Sequence, residues 1–80
     1  MIRLYETPLC PDCIVAKKEL KEKEIPYENI DITETIINLK EFMKLRDGHS
    51  AFDEVKKKGQ VGVPAFVKED GSVVFSVKDL

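Results

Sequence analysis

Cysteine is scarce in this chain of 80 residues: there are two, three positions apart. A bridge between them would close too short a loop to remove much unfolded-state entropy. The pair is therefore not a staple of the kind small secreted domains rely on, and its value is chemical. Histidine is scarcer still. The only one is His49, far along the chain from the cysteines. A structural zinc needs four ligands and the pair supplies two, so no metal site is expected. No apolar run approaches the ~20 residues of a membrane span. An excess of one charge is also missing: 13 basic residues face 15 acidic ones, for a net charge of −2. That balance gives no global pull toward nucleic acid or anionic membrane. Repeats, low-complexity tracts and internal linkers are absent. Met1 runs directly into Ile2-Arg3-Leu4-Tyr5, which reads as a strand and not as a signal peptide. One soluble cytoplasmic domain over residues 1–80 is expected, monomeric, in a compartment where thiols stay reduced.

What is present is enough for a core, with 42% hydrophobic residues. Residues 2–5 read as a first strand. Thr7 and Pro8 turn the chain, and from Cys10 or Pro11 to Lys23 it reads as helix, with Pro11 tolerated in the first turn. Cys13, Ala16 and Leu20 share one face of that helix. Lysines, including Lys17 and Lys18, are assigned to solvent. Ile25-Pro26 ends the helix, and residues 27–32 read as a second strand. Asp31 with Glu34 fits a helix-start pattern. A broad apolar stripe follows through about Arg46, carrying Ile36, Leu39, Phe42 and Met43, with Phe42 and Met43 assigned to the core. Gly48 stops it. A short helix then carries Phe52 and Val55 to Gly59. Residues 61–67 are β-rich with a proline inside, Asp70-Gly71 signals a hairpin turn, and Val73, Val74, Phe75 and Val77 supply the partner strand. The order β-α-β-α-(α)-β-β describes a mixed α/β sheet flanked by helices.

The chemistry lies in Cys10-Pro11-Asp12-Cys13, a C-x-x-C set between a first strand and a first helix. The spacing puts both sulfurs on one side of a helical turn. Cys10 stands at the helix N-terminus, where unpaired N–H groups and the macrodipole favour a thiolate. Cys13 lies one turn inward and gains less. Cys10 is thus the candidate nucleophile and Cys13 the resolving thiol. Val63-Pro64 is the second feature. Proline inside a run of β-formers demotes a strand. The residues leave two readings open, a cis proline at a strand's start or an ordinary edge proline. His49 reads as a surface-loop residue, Lys56-Lys57-Lys58 as a solvated helix end, and Tyr5 as packing or as a neighbour of the motif.

Together these residues resemble the glutaredoxin family over essentially the whole chain. The likeness is carried by Tyr5, Pro8, Cys10-Pro11-x-Cys13 with Ala16 and Leu20 behind it, Ile25-Pro26-Tyr27, Ile30-Asp31-Ile32, Gly59-Gln60, Val63-Pro64 and Phe66. The stretch from Asn38 to Val55 resembles a bacterial subgroup, the glutaredoxin-related proteins, with a lengthened second helix. The resemblance implies a thioredoxin-like fold and a cis Pro64 lying against the cysteines. It also implies that Val63 offers its backbone to substrate and that Gln60 contacts a glutathione carboxylate. The implied reaction reduces protein disulfides or glutathione mixed disulfides, with glutathione as reductant and no tightly bound cofactor.

Several positions depart from the family pattern. Thr7 stands where many members carry lysine. Asp12 adds a negative charge beside the nucleophile, opposing thiolate formation and repelling glutathione carboxylates. Phe75-Ser76 replaces a Gly-Gly pair. Of the acidic pair that binds the glutathione amino group only Asp79 remains, beside Lys78. The last helix is expected to be absent or vestigial. The candidate glutathione or substrate contacts are thus Pro11, Gln60, Val63, Pro64 and Asp79. These departures keep two alternatives in view: a redoxin reduced by a flavoprotein of the thioredoxin-reductase kind, and a glutathione-assisted iron–sulfur cluster carrier.

Overall fold

The computed structural model describes residues 1–80. Four strands form one sheet: β1 (Ile2–Glu6), β2 (Tyr27–Asp31), β3 (Ala65–Val67) and β4 (Val73–Val74), in the spatial order β2-β1-β3-β4. β1 and β2 are parallel, joined through helix α1 (Pro11–Glu22). A parallel pair needs such a crossover, whereas the β3–β4 pair is antiparallel and closes through a short turn. Helix α2 (Ile36–Gly48) follows β2, and a 3-10 turn over Ser50–Phe52 leads into α3 (Asp53–Lys57). The expected mixed sheet is present.

Strand alternation explains the two cores. On β1, Leu4 faces α1 with Ala16, Leu20, Phe66 and Val77. Its neighbour Tyr5 faces the other way, toward Phe42, Phe52, Ala65 and Val67. The central strands β1 and β3 are thus covered on both faces. The second core is aromatic: Phe52 is fully buried and meets Phe42 and Phe75 edge-on, with ring centroids 5.8 and 5.2 Å apart. Tyr5 lies 5.7 Å from Phe42, so it is a packing residue of this cluster.

Several local expectations are corrected. The helix expected to start from Asp31 begins four residues later, capped by the Thr35 hydroxyl, which accepts from the Asn38 N–H at 3.0 Å. Asp31 instead accepts from the Thr33 N–H and hydroxyl at 2.8 and 2.6 Å, closing a turn. The apolar stripe of α2 is only partly core. Phe42 is buried, but Met43 is 51% exposed, with Ile36 and Ile37 exposed too. The β-rich run of residues 61–67 forms a strand only after Pro64, whose peptide bond with Val63 is cis. β4 is two residues long, and the expected Phe75–Val77 extension is a bend leading to a 3-10 turn at Val77–Asp79. His49 does stand in the loop between α2 and the 3-10 turn, as expected, but it is tethered there. Its Nδ1 accepts the Ala51 N–H at 3.1 Å and its Nε2 lies 3.2 Å from the Gly71 carbonyl, tying the end of α2 to the β3–β4 turn.

Candidate active site

The motif sits where β1 ends and α1 begins. Thr7 shapes the turn between them: its carbonyl accepts the Cys10 N–H at 3.1 Å and its hydroxyl accepts the Leu9 N–H at 3.3 Å. The same hydroxyl lies 3.0 Å from that of Thr33, after β2. Thr7 is therefore a buried loop clamp. Cys10 is the N-cap of α1, with extended backbone angles of −102° and 117°. Its sulfur accepts the Cys13 N–H at 3.3 Å. This is the capping interaction that Ser or Asp oxygens usually make, delivered to a sulfur.

The two thiols differ in environment. Cys10 is half-buried, while Cys13 is wholly enclosed. Burial pushes the Cys13 thiol up from its ordinary 9.0 to about 12, and a hydrogen bond with the Cys10 sulfur adds to the effect. A thiol held protonated behind an accessible sulfur cannot make the first attack. Across from the motif, the Cys10 sulfur lies 3.8 Å from the Val63 carbonyl, a weak S–H···O contact. Residues 53 positions apart in sequence are thereby brought together at the start of β3.

Cys10, Gln60, Val63 and Pro64 line one groove of about 700 Å³. Helix α1 forms one wall, with Asp12, Val15 and Glu19, and the segment from Gln60 to Pro64 forms another. Pro11 is the exposed first residue of α1 and Asp79 is exposed in the C-terminal turn; neither lines the groove. Asp12 does line it, beside Cys10 as expected. Phe75 and Ser76, which replace the glycine pair of the resembled family, form part of its floor.

Two supporting residues escaped the sequence reading. Glu6, at the end of β1, is 1% exposed, yet its Oε2 accepts from Asn29 Nδ2 at 2.8 Å and its Oε1 lies 3.0 Å from Lys17 Nζ. Lys17, assigned to solvent from the sequence, is therefore turned inward one helical turn behind Cys13. The Glu6 contact raises the Lys17 pKa. Arg46, read only as the last turn of α2, donates to the Val61 carbonyl at 2.8 Å and to the Gln60 carbonyl at 2.5 Å. It fixes the loop that forms the groove wall. Nothing local marks either residue, because each partner lies on another element. No cluster of three His, Cys, Asp or Glu side chains is arranged to hold a metal ion, and no helix is long and apolar enough to cross a membrane.

The glutaredoxin family model matches residues 2–74. An uncharacterised protein of Haemophilus influenzae is 34% identical over 77 residues, covering 96% of this chain and 90% of that one. The crystal structure of the thioredoxin-like protein BC3987 is similar with a TM-score of 0.66 and 26% identity, over 95% of this chain and 86% of that one. A single-site mutant of the same protein matches equally well over 85% of its length.

Proposed function

The chain belongs to the glutaredoxin family, and on that premise we propose that it is a dithiol thiol–disulfide oxidoreductase in which Cys10 attacks and Cys13 resolves. The observation that carries this reading is the contrast between a half-exposed, helix-capping Cys10 and an enclosed Cys13 held protonated toward pH 12. The Cys10 thiolate attacks one sulfur of a substrate disulfide. The substrate S–S bond breaks, one thiolate leaves, and a bond forms between Cys10 and the other substrate sulfur. The Cys13 thiol gives up its proton and attacks the Cys10 sulfur, releasing the second substrate thiol. Two electrons have then passed to the substrate, one of whose thiols carries the Cys13 proton while the thiolate that left first takes its proton from water, and the protein holds a Cys10–Cys13 disulfide. Cys13 stands one helical turn from the sulfur it attacks, with its N–H 3.3 Å from that sulfur and its thiol hydrogen-bonded to it. The Val63 carbonyl, 3.8 Å from that sulfur, is placed to pair with the backbone of an incoming peptide.

An external reductant must return the electrons. Glutathione is supported by Gln60 and Val63 at the groove. A flavoprotein reductase of the thioredoxin-reductase kind is favoured by one specific observation: Asp12 and Glu19 line the groove and no lysine or arginine does. A tripeptide carrying two carboxylates lacks a cationic partner there.

The test is disulfide reduction by wild type, Cys10→Ser and Cys13→Ser, with glutathione and glutathione reductase or with a thioredoxin-reductase system supplying electrons. Wild type is expected to turn over. Cys10→Ser should lose all exchange, and Cys13→Ser should accumulate a mixed disulfide visible by mass spectrometry. Equal activity in wild type and Cys10→Ser would overturn the role assignment. The better of the two electron donors identifies the reductant class.

A further inference from the structure

We propose that the groove beside Cys10 selects disulfides of peptide segments in which the reacting cysteine is flanked by apolar residues and by lysine or arginine; this rests on the exchange reaction proposed above. Asp12, Val15, Ala16 and Glu19 all line the groove. They are spaced i, i+3, i+4 and i+7, one face of α1. Asp12 and Glu19 are the only charged residues in the lining. Neither forms an ion pair within the protein, whose salt bridges join Met1 to Glu69, Lys17 to Glu6 and Lys56 to Asp53. Lys17 on the same helix is spent on Glu6, and Lys18, next to Glu19 in sequence, makes no ion pair with it. The two carboxylates of the lining are therefore left without a cation in contact.

The apolar part is equally exposed. Leu9 is 81% exposed and Val15 and Val61 are 55% and 56% exposed, and all three border the groove. Seven helical residues at 1.5 Å each separate Asp12 from Glu19 by about 10 Å along α1. An extended chain rises about 3.3 Å per residue, so that separation corresponds to roughly three substrate residues. A lysine or arginine can lay its methylene stem on Val15 and bring its charge to either carboxylate. A carboxylate at the same place meets repulsion in a partly water-excluded cleft. The occupant that fits is an extended apolar–cationic peptide.

The test uses reduced wild-type protein and capped pentapeptides with a central cysteine flanked by valines. Their end residues are lysine, glutamine or glutamate, and each cysteine is joined by a mixed disulfide to 5-thio-2-nitrobenzoate. Attack of Cys10 on the peptide sulfur breaks the S–S bond and releases the coloured thiolate; Cys13 then displaces the peptide thiol. The lysine probe is expected to react about tenfold faster than the glutamate probe at low salt, with glutamine between, and the gap should shrink in high salt. Glu19→Gln should lower that ratio about threefold, and Asp12→Asn/Glu19→Gln should bring it within about twofold of unity. A general change in Cys10 reactivity cancels in the ratio. Equal rates for the three probes in wild type would overturn the proposal while leaving the exchange reaction standing, as would an undiminished ratio in the double variant. Failure of the folded protein to release thiolate from any probe would overturn both.

Discussion

Replacing Lys17 by methionine keeps the aliphatic stem and removes the ammonium from a carboxylate that has almost no access to water. Glu6 is 1% exposed; without Lys17 it retains the Asn29 Nδ2 donor at 2.8 Å and loses its cation at 3.0 Å. Breaking a fully buried pair costs about 3–5 kcal/mol, and losing a hydrogen bond to a charged group about 1.5–3 kcal/mol. The Lys17 side chain is 32% exposed, so water can replace part of its contribution. A loss of about 2 kcal/mol is expected, which for a domain of this size corresponds to a fall in Tm of roughly 8–16 °C. The assay is urea and thermal unfolding followed by circular dichroism, for Lys17→Met, Glu6→Gln and the double variant. Removing the orphaned charge in the double variant should recover about 1 kcal/mol relative to Lys17→Met, the signature of direct coupling. The pair also has a pH signature. The Lys17 pKa is raised in the folded state, so its contribution is complete below the ordinary lysine range and is lost as pH climbs through the raised value. A Lys17→Met protein within about 0.5 kcal/mol of wild type, the usual range for a surface substitution that breaks nothing, or a double variant no more stable than the single, would refute the account.

Three further outcomes are expected. Cys13 titrates near 12 when folded and near 9.0 when exposed. The folded state then holds more protons between those values, and stability should be full below about pH 9 and fall as pH rises toward 12; urea unfolding across that range should show a shallower alkaline slope in Cys13→Ser. Gly62→Ala should cost about 1–3 kcal/mol: at φ +99° a new Cβ would lie 3.1 Å from the Phe52 ring and 3.2 Å from Val55 Cγ2, and chemical denaturation would read the loss. Arg46→Leu should cost about 1 kcal/mol. It should also speed amide exchange in residues 60–63 and raise the apparent KM for a peptide disulfide more than it lowers kcat, because it frees the groove wall without touching Cys10; unchanged exchange would show that the loop holds itself.

The sequence by itself determined the element order and the position of Cys10 at a helix start, because each depends on local periodicity or on turn chemistry over a few residues. It also exposed the C-x-x-C, whose sulfurs meet within one helical turn. It misplaced the start of α2 because Asp31 and Thr35 are both competent caps, and packing against the sheet chose between them. It overstated the core of α2, since an apolar residue such as Met43 is buried only if another element covers it. Tertiary structure alone decided the rest. The sulfur of Cys10 meets the carbonyl of Val63 across 53 residues. Lys17 turns inward because Glu6, on the neighbouring strand, would otherwise be a buried charge without a cation. Arg46 shapes a loop whose carbonyls come to it only when the chain has folded. Such contacts join groups distant in sequence, and their partners acquire a common address only when the sheet brings the elements together.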